Sequence, residues 1–288
     1  MIHKKIPIEI DYKALGIEKT GEYQPYLECF VPYCATSPQK VRPAVVVAPG
    51  GGYEFTSTRE AEPIVLGFLE QGFTCFILWY SVSNDKESSR FPASLLELSK
   101  AVATIRENAE EWLIDREKVF VCGFSAGGHL AASLGTLWNR DFVKDALGYH
   151  QGEHRPDGLV LSYPVILAPV DGKPTHIGSF RRVLGEKYDD PAMMELLSLE
   201  LQVSEDTPPT FLWHTATDDV VPVRNSLDFA AAMAAKGRPF ELHVFPRGPH
   251  GLARADWTTA TDTATGREYE YPEVQPWVRL AGRWIKEL

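Results

Sequence analysis

A chain of 288 residues with 44% hydrophobic and 24% charged residues is long enough to bury the core of one or two soluble domains. A formal net charge of −10 without a long basic run excludes nucleic acid and anionic membranes as main partners, because both require basic patches. The N-terminal "MIHKKIPIEIDYKALG" lacks the apolar core and small-residue cleavage site of a signal peptide, and no stretch reaches transmembrane length; the expectation is a cytoplasmic protein. Cys29, Cys34, Cys75 and Cys122 are too scattered for a metal site, and Cys75 and Cys122 sit in apolar runs as buried free thiols.

In chain order, "KIPIEI" (5–10) and "YLECFVPY" (26–33) alternate and predict an antiparallel edge. "AVVVAPG" (44–50) and "FTCFILWYSV" (73–82) read as buried strands. Helical periodicity spans "PASLLELSKAVATIRENAEEWL" (92–113), with Pro92 near its start. "KVFVCGF" (118–124) is a strand and "AGGHLAASLGTLW" (126–138) a helix of small and apolar residues. Strands follow at "GLVLSYPV" (158–165) and "TFLWHT" (210–215), then a helix over 224–237 closed by Gly237. "PFELHVFP" (239–246) is the last strand, and 274–288 ends the chain as a helix.

This alternation predicts an α/β fold: a mostly parallel central sheet with helices on both faces, in one domain over residues 1–288. Residues of about 166–206 carry Pro, Gly and charges with short helical pieces. They read as an insertion forming a small cap over the carboxyl edge of the sheet.

"GFSAGGHL" (123–130) follows a strand and opens a helix. Gly-x-Ser-x-Gly in that context is a nucleophile elbow: the serine sits in a strained corner, and Gly123 and Gly127 remove side chains that would collide there. The helix that follows points its N-terminus at the site and favours developing negative charge. A serine hydroxyl needs a base, and the base needs an orienting carboxylate. On sheets carrying this elbow the chain order is serine, acid, histidine.

Asp218 and Asp219 lie in the loop after "TFLWHT", and the Asp-x-x-Val-Pro spacing favours Asp218. His250 lies in the Pro/Gly-rich loop after the last strand, where a catalytic base is expected. His243 is expected to pack within its strand, His214 to brace the acid loop and His129 to be structural. His3, His150 and His154 carry no motif. His176 lies in the insertion, where it could face a substrate, but a solvated histidine is the expectation.

Acyl transfer also needs backbone N–H groups aimed at the oxyanion. Ala126, after the serine, supplies one; the turn at Gly50, Gly51 and Gly52 supplies the others. That turn lacks the Gly-Lys-Ser/Thr of a phosphate loop and the Gly-x-Gly-x-x-Gly of a dinucleotide site.

With these motifs the chain resembles the α/β-hydrolase superfamily, in the esterase branch that includes acetyl esterases, acetylxylan and feruloyl esterases, and hormone-sensitive-lipase-like enzymes. The matching stretches are "PGGGY" (49–53), "TSTREAEP" (56–63), "YSV" (80–82), "GFSAGGHLAA" (123–132), "HTATDDVVPVRNS" (214–226) and "FPRGPHGL" (245–252). The resemblance implies Ser125 as nucleophile, Asp218 as orienting acid and His250 as base, with Gly51, Gly52 and Ala126 as the oxyanion hole. It implies short-acyl, above all acetyl, ester hydrolysis, with acetylated sugars or xylo-oligosaccharides as expected substrates and without a cofactor or metal. Pro49 stands where the lipase-like motif has histidine, which draws the chain toward the acetylxylan and feruloyl esterases.

An arylformamidase-like amidase or small peptidase would use the same residues, and a binding module that has lost catalysis would share the fold. The polar segment 252–273 is open as a surface loop or as a contact between copies in a homo-oligomer.

Overall fold

The computed structural model describes residues 1–33, 39–170, 172–264 and 266–288. Cys34, Asp171 of the expected insertion and Thr265 of the 252–273 segment lie outside the described residues.

Eight strands form the central sheet: β1 (Ile2–Pro7), β2 (Tyr26–Val31), β3 (Arg42–Ala48), β4 (Thr74–Trp79), β5 (Ile114–Phe124), β6 (Gly158–Ser162), β7 (Thr210–Thr215) and β8 (Phe240–Phe245). Their order is β1-β2-β4-β3-β5-β6-β7-β8. β3 to β8 run parallel, while β2 runs antiparallel to both of its neighbours. Two short antiparallel ribbons, Lys19–Thr20 with Ser88–Ser89 and Thr261–Thr263 with Gly266–Glu268, lie outside the sheet.

The continuous apolar strands are explained by burial on both faces. Val46, Phe76, Leu78, Val121, Leu159 and Leu212 point to one face. It is covered by α2 (Ala93–Glu107) and α3 (Ala126–Leu137). Their immediate neighbours Val45, Val47, Cys75, Ile77, Cys122, Val160 and Trp213 point to the other, covered by α1 (Glu62–Leu69) and α8 (Trp277–Glu287). Four short or peripheral helices complete the fold: α4 (Asp141–Leu147), α5 (Ile177–Leu184), α6 (Pro191–Leu196) and α7 (Arg224–Ala235). Cys75 and Cys122 are buried free thiols, and burial pushes both well above the ordinary thiol range.

Several boundaries differ from the sequence reading, among them the start of β5 at Ile114 instead of 118 and the three that follow. β1 begins at Ile2, three residues before "KIPIEI", because its length is set by pairing with the six residues of β2. The helix expected over 92–113 stops at Glu107. Asn108 turns its side-chain amide back to the Thr104 carbonyl, Leu113 takes a left-handed φ of 55°, and Trp112 folds under to lie 5.4 Å from Phe76. Burying that indole outweighs another turn of helix. The last helix begins at Trp277, not 274. α1 and α4, which are short and weakly periodic, are elements that the sequence reading did not name.

The register of the sheet brings the functional loops together. Ala48 of β3 pairs with Gly123 of β5, so the Gly50–Gly52 turn leaves the sheet beside Ser125. Phe245 of β8 pairs with Thr215 of β7, so the loops carrying His250 and Asp218 leave together at the same carboxyl edge.

Candidate active site

Ser125 joins β5 to α3 with φ 50° and ψ −117°, a strained conformation for a residue with a side chain. The flanking glycines make it attainable. A Cβ on Gly123 would run into the Gly127 carbonyl, and a Cβ on Gly127 into the Ala48 carbonyl. Neither backbone group can yield, so the strain is held by two close approaches of main chain.

His250 Nε2 lies 2.8 Å from Ser125 Oγ, and its Nδ1 lies 2.7 Å from Asp218 Oδ2. The carboxylate accepts at Nδ1, which fixes the proton there and leaves Nε2 as an acceptor for the serine hydroxyl. The Tyr163 ring meets the His250 ring edge-on at 5.0 Å and supports it from below.

Asp218 is buried, whereas Asp219 is exposed. Its Oδ1 accepts the Val220 and Val221 N–H groups at 3.0 and 2.8 Å. Its Oδ2 takes His250 and also faces His214 Nε2 at 3.2 Å. Burial by itself would raise the carboxyl; the hydrogen bonds from His214 and His250, followed by the charge of His250 and the Val221 N–H, outweigh it and hold the group well below the usual carboxylate range. His214 braces the loop as its position suggested. Its Nε2 faces two acceptors, Asp218 and the Val221 carbonyl, so it carries the proton, and Nδ1 is left to accept from the Ser226 hydroxyl at 2.8 Å.

The Gly50 N–H is taken by Glu60 Oε2 at 2.9 Å. Gly51 and Gly52, at φ 123° and 64°, line the same cavity as Ser125 and His250. The Ala126 N–H is the first of α3, where no helical acceptor exists. That cavity has a volume of about 380 Å³, and Phe55, His176, Arg182 and Val220 form its walls. A larger cavity of about 790 Å³, between the turn at Leu15–Glu18 and α2, α4 and α6, contains neither Ser125 nor His250.

His176 is not the solvated residue that its sequence context suggested. It is half-buried in the cavity wall, with Nδ1 2.8 Å from Ser179 Oγ. Burial, followed by the charges of His250 and Arg182, lowers its pKa. Glu60 escaped the sequence reading altogether. It is a buried carboxyl whose Oε1 accepts the Tyr163 hydroxyl at 2.7 Å, while Tyr163 in turn accepts the Ala253 N–H at 2.9 Å. The only available signal was an acid inside "TSTREAEP". His154, without a motif, is buried, stacks on Tyr149 and hydrogen-bonds the Trp138 carbonyl at 2.7 Å.

His129 is fully buried, with Nδ1 2.9 Å from the Tyr53 hydroxyl and Nε2 3.1 Å from the Leu197 carbonyl. Burial pulls it down to about 4, partly offset by the Leu197 hydrogen bond. The unfolded chain takes up a proton near pH 6.5 that the native state refuses until about 4. Stability is therefore complete above 6.5 and is lost as pH falls toward 4, by about 3 kcal/mol at most. Urea unfolding of wild type and His129→Gln at pH 7 and 4.5 should show a steeper loss in wild type; parallel losses would remove His129 as the cause.

Part of segment 252–273 packs against the rest of the protein. Leu252, Ala253, Ala255 and Thr259 are buried, and Arg59 donates to the Thr259 carbonyl and lies over the Tyr269 ring. Among the described residues, no three His, Cys, Asp or Glu side chains converge as a metal site, and no helix is long and apolar enough to cross a membrane.

A family model described as BD-FAE matches residues 31–233. The chain belongs to the BD-FAE family. Its architecture is that of the α/β-hydrolase superfamily, as the motifs implied. This BD-FAE chain is 41% identical over 75% of its length to endo-1,4-beta-xylanase B of Butyrivibrio fibrisolvens. It is 29% identical over 85% of its length to an acetylxylan esterase of Xylanibacter ruminicola. It spans 33% and 46%, respectively, of those two relatives. The crystal structure of an acetyl ester-xyloside bifunctional hydrolase from Caldicellulosiruptor lactoaceticus superposes with a TM-score of 0.79 at 35% identity, covering 99% of this BD-FAE chain and 96% of that one.

Proposed function

We propose that this protein is a serine carboxylesterase that removes short acyl groups, acetyl above all, from small esters such as acetylated sugars or xylo-oligosaccharides. The observation that carries the reading is the unbroken relay Ser125–His250–Asp218, with contacts of 2.8 and 2.7 Å, opening on one cavity with Gly51 and Gly52. The named activities of the relatives support the same chemistry.

In this mechanism His250 Nε2 takes the Ser125 proton as Oγ attacks the ester carbonyl. The carbonyl oxygen becomes an oxyanion, received by the N–H groups of Gly51, Gly52 and Ala126. Asp218 stays ionised and stabilises the imidazolium that forms. The imidazolium returns its proton to the departing alcohol oxygen, leaving an acyl-serine. Water enters, gives a proton to His250 and attacks the acyl carbon; collapse releases the acid and restores Ser125.

The segment of about 166–206 acts as a short cap on this single catalytic domain. Its residues His176 and Arg182 wall the cavity, which supports that role and limits the room for long acyl chains.

Hydrolysis of p-nitrophenyl acetate, butyrate and octanoate tests the reading. Acetate should be fastest, with octanoate slower by about tenfold or more, and a fluorophosphonate probe should label Ser125. Equal rates along the series would remove the short-acyl assignment, and folded protein inert to all three esters and to the probe would remove the esterase reading.

A further inference from the structure

A second cavity adjoins the catalytic one at Arg182. Arg182 and Glu54 line the catalytic cavity and also line this second one of about 530 Å³, whose other walls include Ser83, Asn84, Asp85 and Arg181. The two cavities meet at an ion pair, Arg182 Nη2 to Glu54 Oε2 at 2.5 Å, with side chains 32% and 48% exposed. The pair therefore forms a partly exposed ridge shared by the Ser125 cavity and a second basin, and a ligand lying over it would touch both.

We propose that the second basin binds a further glycosyl unit, so that the substrate is an acetylated oligosaccharide held across at least two sugar rings. The proposal rests on the esterase reading above and assigns the alcohol side of the ester.

Three observations carry it. The lining of the second basin is entirely polar or glycine. An acyl chain or aryl group there would strip water from those groups without replacing its hydrogen bonds, whereas a polyol replaces them one for one. The charges nearly cancel: Arg182 is paired with Glu54, Arg90 lies 3.5 Å from Glu18 Oε1, and Arg181 lies over the Tyr188 ring with Asp85 in the same basin. Such a site suits a neutral ligand with many hydroxyls rather than an anion. Finally, Phe55 stands on the rim of the catalytic cavity beside Glu54 and is 58% exposed. An exposed phenyl face at the mouth of a polar cavity matches the apolar C–H face of a pyranose ring. The first ring thus rests on Phe55 with its ester at Ser125, and the next reaches across the ion pair.

The test compares monoacetylated xylose, monoacetylated xylotriose and p-nitrophenyl acetate on wild type, Arg181→Ala and Asp85→Ala. Wild type should show kcat/KM about tenfold higher for the trisaccharide than for the monosaccharide, the value of about one added hydrogen-bonded contact. Each variant should lower that ratio by about fivefold, through KM. Equal kcat/KM on the two sugars, or a ratio that neither variant changes, would overturn the second site, and continued p-nitrophenyl acetate hydrolysis would show that the esterase reading survives. Loss of p-nitrophenyl acetate hydrolysis in wild type would sink that reading and the second site with it.

Discussion

Ser125→Ala is expected to lower kcat for p-nitrophenyl acetate by about 10⁶-fold, the usual consequence of deleting a triad nucleophile. The substitution removes one oxygen, buried in a residue only 7% exposed, from a corner whose geometry is set by backbone. Alanine keeps the Cβ and meets the same φ of 50°, so folding should survive. The N–H groups of Gly51, Gly52 and Ala126 remain, and a residual rate of about 10³-fold over water is expected from them. Stopped-flow and overnight assays on protein with an unchanged circular dichroism spectrum and thermal midpoint would measure both numbers. A variant retaining most of the wild-type rate would place the nucleophile elsewhere.

Asp218→Asn should lower kcat by about 10⁴-fold, for a reason visible in its partners. Oδ1 faces two N–H donors, from Val220 and Val221, and Oδ2 faces two more, from His250 and His214. An amide has one oxygen for two sets of donors. With its oxygen toward the backbone, its NH₂ confronts His250 Nδ1–H and forces that ring to the other tautomer. Nε2 then carries a proton toward Ser125 and cannot accept one. With the amide reversed, the NH₂ confronts the Val220 and Val221 N–H groups, and the loop itself is disturbed. Asp219→Asn, at an exposed neighbour, should stay within about twofold of wild type. Side-by-side kinetics of the two variants decide between the acids: a full loss in Asp219→Asn with Asp218→Asn active would reverse the assignment.

These expectations were accessible from sequence because the elbow and the acid loop are locally encoded. Gly123 acts against the Gly127 carbonyl within the same five residues, although Gly127 itself answers to the Ala48 carbonyl of β3. The spacing that favoured Asp218 has a local cause too: its Oδ1 caps N–H groups two and three residues onward. The buried strands were legible because their apolar runs are continuous, and the sheet needs them so on both faces. What stayed hidden depends on partners distant in the chain. Glu60 is defined by Tyr163, 103 residues away. His176 enters the cavity only because α5 folds over the Gly51–Gly52 turn, and the early end of α2 depends on Phe76 receiving Trp112.

The Glu60–Tyr163 link has a further consequence. It fastens the glycine turn, through Gly50, to the chain at Ala253, three residues after His250. The glycine turn and the loop after His250 are thus tied to each other through two buried side chains, while the Glu54–Phe55 rim takes no part in the link. Of the rim and the segment 166–206, the Glu54–Phe55 rim is the freer to change, because residues 166–168, Phe180, Leu184, Leu197 and Leu199 of the segment are built into the core beside α3. A protein engineer seeking new leaving groups should randomise the rim and leave Glu60 and Tyr163 untouched.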